Sequence, residues 1–163
     1  KRIKNQESRI KSCLILGVGG GTVVQILKNN YPDVAIIGIE IDSVMVEIAQ
    51  KYFNLIPSLS VNLIVADVQT WIKSDKMKNY FDLIVTDLYI GKFNPEFSRK
   101  KEFLNKLKNL LSSSGIILYN AHYQKETPVE FKKFVRSCKS VFNNSQEVFS
   151  YPYNRVLLLK IDD

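Results

Sequence analysis

Short, unbroken runs of apolar and often β-branched residues alternate along this chain with segments of helical spacing, and few folds accommodate that alternation. SCLILGV (12–18), VAIIGIEI (34–41), VNLIVAD (61–67), FDLIVTDL (81–88) and GIILYNA (115–121) have the length and composition of strands buried on both faces. GTVVQILKNN (21–30), SVMVEIAQKYF (43–53), the short VQTWIKS (68–74) and residues 98–112 lie between them, and VEFKKFVRSCKSVF (129–142) follows the last of them. These segments read as helices. In the second, Met45, Ile48, Ala49 and Tyr52 share a face, with Ser43 as N-cap. Residues 98–112 turn Phe103, Leu104, Leu107, Leu110 and Leu111 inward, and 129–142 does the same with Phe131, Phe134, Val135, Cys138, Val141 and Phe142. Doubly buried strands separated by helices form a parallel sheet covered on both faces. The expected fold is a doubly wound, Rossmann-like α/β domain over residues 12–163, with a mostly parallel seven-stranded sheet. The final strands, QEVFSY and RVLLLKI, have no helix between them, so one is expected to run antiparallel at the sheet edge.

Charge and cysteine usage narrow the function classes. The net charge is +7, but residues 1–11 hold five Lys/Arg against one Glu, leaving only +3 on the rest. A basic tail or linker on a near-neutral domain is a weaker case for nucleic acid than a basic face would be. The opening KRIKNQESRIK has no apolar stretch of the kind a signal peptide needs, and it reads as such a tail or as the cut edge of a larger protein. No apolar run approaches a membrane span. Cys13 falls in the first strand and Cys138 on an apolar helix face, and one histidine, His122, cannot complete a zinc site with them at usual spacings. Both cysteines read as small core residues, no metal site is expected, and the compartment is expected to be reducing and cytoplasmic.

The stretch ILGVGGGTVVQIL places four glycines within five positions between the first strand and its helix. In open α/β sheets, ligands bind beyond the carboxyl ends of the strands, beside the first strand. Gly17 and Gly19 would let the chain turn sharply and a ligand touch the backbone, although glycines serving only a tight turn would look the same. As a GxGxxG fingerprint the loop is incomplete, because Thr22 replaces the third glycine. The second strand ends in Glu40, placed to accept both hydroxyls of a ribose or else to begin the next helix, a role better suited to Asp42. The third ends in Asp67, which can accept from an exocyclic amine such as that of adenine or cap the following helix. The fourth ends in Asp87, either near a reacting group or simply in a turn. Three successive strands thus each deliver an acid at one edge, which suits a nucleoside with a polar or cationic tail. No GxxxxGK followed by Ser or Thr is present, which excludes a P-loop. A pyrophosphate sits poorly against Asp87, whereas S-adenosylmethionine has no phosphate and carries a sulfonium and an ammonium.

LILGVGGGTVVQIL, GIEIDSVMVEIAQKYF, VADVQTWIK, YFDLIVTDLYIG and FLNKLKNLLSSSGIILYNAH resemble the spermidine-synthase-like branch of the class I S-adenosylmethionine-dependent methyltransferase fold, over roughly residues 12–161. The resemblance implies S-adenosyl-L-methionine as cofactor, its tail at the Gly17–Gly21 loop, including Gly20 and Gly21. It implies the ribose at Glu40, the adenine at Asp67 with Val68, and Ile41 as a further cofactor contact. Asp87 matches the first acid of the D-S-S-D motif of aminopropyltransferases and is the expected catalytic residue, orienting or deprotonating an amine. His122, with Asn120 and Tyr123, lies past the fifth strand as a further acid/base candidate or a plain surface histidine. The departures are as specific. Gly20 stands where GGGDGG has its Asp, Ile90 stands where the motif has its second Asp, and the small N-terminal β domain is missing or lies ahead of Lys1. Without those carboxylates a polycation is poorly held. The resemblance is therefore closer to the branch's methyltransferases, some of which act on protein lysine or N-terminal amines. Glu96 or Glu126 would have to fold over the site to compensate. No Asn/Asp-Pro-Pro-Tyr/Phe follows the fourth strand, so a nucleic-acid base is not the expected acceptor. The implied function is a methyltransferase whose acceptor is an amine on a small molecule or a protein, with no membrane partner and a homodimer left open. The alternatives are an aminopropyltransferase with an altered substrate site and a non-catalytic module that keeps the fold.

Overall fold

The computed structural model describes residues 10–55, 58, 60–73, 77–122, 128–151 and 154–161. The elements are β1 (Ser12–Leu16), α1 (Thr22–Asn30), β2 (Ala35–Glu40), α2 (Ser43–Tyr52), β3 (Val61–Val65), α3 (Val68–Trp71), β4 (Phe81–Thr86), a 3₁₀ turn (Glu96–Arg99), α4 (Lys101–Leu110), β5 (Leu111–His122), α5 (Pro128–Val141), β6 (Asn144–Tyr151) and β7 (Asn154–Lys160). One sheet has the order β3-β2-β1-β4-β5-β7-β6. β1 to β5 pair in parallel, as doubly buried strands linked by helices must. β7 is the antiparallel strand, one place in from the edge, paired with β5 on one side and β6 on the other.

Period-two alternation divides the core. Along β1, Cys13 and Ile15 join Val24 and Leu27 of α1 and Ala49 of α2 on one face. Leu14 and Leu16 join Phe103, Leu104 and Leu107 of α4 and Phe134 and Cys138 of α5 on the other. All five residues of β1 are buried, which explains a strand with no polar side except Ser12. Burial pushes the Cys13 thiol far up, with the charge of Asp82 adding to the effect, and pushes Cys138 up to about 12. Both are inert core residues.

Helix 2 differs from its expected face. Val46 and Ala49 are its buried residues, Met45 and Ile48 are half-buried, and Tyr52 is 68% exposed. Its apolar residues circle the helix, so spacing alone does not select a face. Its N-cap is Asp42, not Ser43, with the carboxylate accepting from the Val44 N–H at 2.9 Å. The helix expected over 98–112 is divided into the 3₁₀ turn and α4, and β5 begins at Leu111, absorbing three serines by pairing Leu111 with Phe81 across an irregularity in register. Packing also begins before residue 12: Ile10 is buried, and the Lys11 carbonyl accepts from the Ala35 N–H at 2.9 Å. The rest of the expected basic tail, residues 1–9, lies outside the described residues.

The amino edge of the sheet is stitched by Asp82 at the start of β4. Its Oδ2 accepts from the Lys11 and Ser12 N–H groups (2.9 and 3.1 Å) and the Ser12 hydroxyl (3.0 Å), and its Oδ1 from the Ser112 hydroxyl (3.0 Å). One carboxylate thereby joins the starts of β1, β4 and β5. Asp82→Ala strands these donors, and thermal melting is expected to show a loss of roughly 2 kcal/mol, about 4–8 °C for a domain of this size. An unchanged melting temperature would show that water replaces the carboxylate at no cost.

Candidate functional site

The carboxyl edge is set one residue beyond the strands. Gly17 N–H donates to the Ile39 carbonyl, Asp87 N–H to Leu16 and Ala66 N–H to Glu40, each at 2.9 Å. These bonds bring the ends of β1, β2, β3 and β4 to one level, where a cleft of about 490 Å³ opens. Of the expected cofactor residues, Gly17, Gly19, Gly20, Glu40, Ile41, Asp67 and Val68 line it, as does Asp87. Gly21 does not: it is the left-handed N-cap of α1 (φ +83°), packed beneath Leu55. Gly17 (φ +86°) is the tightest point, since a Cβ there would lie 2.4 Å from the Asp87 carbonyl oxygen.

Glu40 is wired into the loop it faces. Its Oε2 accepts from the Gly19 N–H at 2.9 Å, and its Oε1 from the N–H groups of Ile41 (2.9 Å) and Asp42 (3.2 Å). Of the about four lone-pair sites of the carboxylate, three are filled by these N–H groups, and one, on Oε2, stays open to a further donor. Asp67 takes up the capping role that sequence allowed it, accepting from the Gln69 N–H at 2.7 Å through Oδ1. It also remains exposed at the cleft. Among the described residues the lining includes four carboxylates (Glu40, Asp42, Asp67, Asp87) and no Lys, Arg or His. A phosphate would find no countercharge among these residues.

The far end of the cleft centres on Asp87. The Asn120 side-chain amide donates to its Oδ1 at 2.7 Å, and His122 Nε2 lies 3.6 Å from the same oxygen. His122 does not line the cleft. It stands beside Asp87 with its ring 5.7 Å from that of Tyr89, and its buried Nε2 has no hydrogen-bond partner among the described residues. Tyr123 and Glu126 lie outside the described residues. Glu96 does not line the cleft either; its carboxylate is exposed and pairs with Lys100 at 3.3 Å.

Residues that sequence reasoning missed form the wall after β4. Leu88, Tyr89, Pro95 and Phe97 line the cleft there, beside Ile90, which the sequence already marks at the place of the motif's second acid. Ile90 and Phe93 exchange backbone hydrogen bonds (2.8 and 3.3 Å) around Gly91 (φ +63°), making a small turn. Gly91, between Ile90 and Lys92, was the available signal for it. Asn94, buried beneath that turn, had no local signature.

A family model described as "Spermine/spermidine synthase domain" matches residues 4–155. The chain is 38% identical over 108 residues to a polyamine aminopropyltransferase of Vibrio vulnificus, covering 66% of this chain and 36% of that protein. It is 30% identical over 144 residues to polyamine aminopropyltransferase 1 of Hyperthermus butylicus (82% and 49%). It is 26% identical over 117 residues to a Drosophila melanogaster eEF1A lysine and N-terminal methyltransferase homolog (68% and 17%). The chain spans less than half the length of each of these relatives. Among solved structures, human methyltransferase-like protein 13 in complex with SAH superposes with a TM-score of 0.87 at 20% identity, covering 99% of this chain and 76% of that one. Spermidine synthase from Thermotoga maritima gives 0.73 at 23% identity (96% and 56%). At such identities the likeness establishes the Rossmann-like methyltransferase fold.

Proposed function

The chain belongs to the spermine/spermidine synthase domain family, and from that premise we propose that it is an S-adenosylmethionine-dependent methyltransferase acting on an amine. The observation that carries the reading is the lining of the cleft: one carboxylate at the end of each of β2, β3 and β4, a glycine loop after β1, and no cationic side chain among the described residues. That donor set fits the cofactor. Glu40 would hold the ribose hydroxyls, Asp67 with Val68 and Ile41 the adenine, and the backbone of Gly17, Gly19 and Gly20 the amino-acid tail. Gly21 supports the loop from beneath. When bound, S-adenosylmethionine supplies an electrophilic methyl group on a sulfonium.

Asp87 does the remaining chemistry. Asn120 occupies its Oδ1, so Oδ2 is available to accept a hydrogen bond from the acceptor amine and then its proton. Leu88, Tyr89 and Phe97 make an apolar wall that limits water at that end. A protein amine is a suitable acceptor, as the named activity of the Drosophila relative supports; an amine-bearing small molecule is the other. We place the protein in a reducing, cytoplasmic compartment on its two free, buried cysteines. A homodimer is compatible with this reading.

Calorimetry with S-adenosylhomocysteine tests the cofactor assignment. Glu40→Ala is expected to lose about 2–4 kcal/mol of binding free energy, because a charged acceptor is removed from the ribose and the Gly19 N–H of the cofactor loop loses its anchor. Equal binding by wild type and variant would rule out the ribose role.

A further inference from the structure

Asn94 follows the Ile90–Phe93 turn in a loop, a position where a polar residue is ordinarily solvated, yet it is 2% exposed. Its side-chain N–H groups donate to the carbonyls of Leu88 (2.6 Å) and Asn120 (3.0 Å), and its Oδ1 accepts from the His122 N–H at 2.7 Å. All three partners are backbone groups, which fixes the amide's orientation and satisfies both of its ends. Asp would set a carboxylate against two carbonyl oxygens, and Gln is a methylene too long. The partners are also specific in place. Leu88 directly follows Asp87, and Asn120 is the residue whose side chain grips Asp87 Oδ1 at 2.7 Å. One buried side chain thus spans the cleft wall after β4 and the carboxyl end of β5. A second anchor holds the same wall farther along: the Tyr119 hydroxyl donates to the Ser98 carbonyl (3.0 Å) and lies 2.9 Å from its hydroxyl. Among the described residues that hydroxyl makes its bonds to Ser98 and none to the Asp87 or Asn120 side chain.

We propose that Asn94 is the positioning residue for the reacting end of the cleft: it holds Leu88 and Asn120 in the relation that aims the free oxygen of Asp87 at an incoming amine. This rests on the methyltransferase reading above, and it separates two roles within one loop. Asn94 governs the aim of Asp87, whereas Tyr119 and Ser98 govern only the stability of the wall.

The test compares two ligands by calorimetry on the full chain. S-adenosylhomocysteine reports the cofactor half of the cleft. Sinefungin, an analogue with an amine on carbon where the cofactor carries its methylated sulfur, adds a cation at the reacting end. Wild type is expected to prefer sinefungin by about tenfold or more, the worth of one charge-assisted bond. Asn94→Ala and the milder Asn94→Ser are expected to remove most of that preference while leaving S-adenosylhomocysteine affinity within about threefold, since no cofactor contact is touched. Tyr119→Phe, which takes hydrogen bonds from the same wall, is expected to lower the melting temperature and leave the preference intact. The proposal is overturned if the Asn94 variants keep the preference, if both ligands weaken equally, if Tyr119→Phe erases the preference as fully, or if wild type shows none. Failure of wild type to bind either ligand overturns the cofactor reading itself, and is distinct from all of these.

Discussion

Gly17→Ala is expected to cost about 3–5 kcal/mol of stability, or roughly 6–20 °C in melting temperature, through backbone strain and overpacking together. The backbone at Gly17 is left-handed (φ +86°), a conformation L side chains rarely adopt. A Cβ there would also lie 2.4 Å from the Asp87 carbonyl oxygen and 3.0 Å from its carbonyl carbon. Both are main-chain atoms held in place by the bond from Asp87 N–H to Leu16. No rotamer relieves the contact; β1 and β4 must part at their carboxyl ends. Gly19→Ala is the internal control. Its φ is +52° and nothing lies within 4 Å of the added carbon, so only the conformational cost of about 1–2 kcal/mol applies. Equal melting temperatures for the two variants would contradict the close approach of the strands.

Polyamine chemistry is the second large effect. Purified protein given decarboxylated cofactor and putrescine is expected to form negligible spermidine. The chain shares 38% identity with an aminopropyltransferase over two-thirds of its length, so this is the outcome on which the reading turns. A flexible dication needs opposed carboxylates, and among the described residues the wall after β4 supplies Asp87 alone. Ile90 is 73% exposed at the turn where a second acid would stand. A Cβ at Gly20 would make only ordinary contact with the Phe53 ring, at 3.8 Å, so no steric clash bars a side chain there. Two absent charge-assisted bonds imply polyamine engagement about 10²- to 10⁴-fold weaker. Robust spermidine formation would replace the methyltransferase reading with the aminopropyl one.

The four strand-end residues were readable because their cause is local. Gly17, Glu40, Asp67 and Asp87 each directly follow or close an apolar run, and the parallel fold sends every such end to one edge. The supports of those residues were not readable, because they join distant parts of the chain. Asn94 reaches 26 residues to Asn120, Tyr119 reaches 21 to Ser98, and Asp82 reaches 70 to Ser12. Nothing in the immediate surroundings of an asparagine in a loop says that three backbone groups wait for it. Helix 2 failed differently. Met45, Val46, Ile48 and Ala49 offer more than one apolar stripe, and the sheet beneath decides among them. Asp67 shows a third case, in which both readings hold: it caps α3 and still reaches the cleft.

The two walls of the cleft come from two consecutive stretches of chain, one from residues 17–68 and the other from residues 87–97. Descent can therefore act on them separately. A lineage that rewrites ten or so codons after the fourth strand can change what it modifies while the nucleoside-facing stretch passes unaltered to its descendants. Of the two departures from the aminopropyltransferase pattern, Ile90 falls in the second stretch and Gly20 in the first, so the nucleoside-facing wall also carries part of what sets this chain apart.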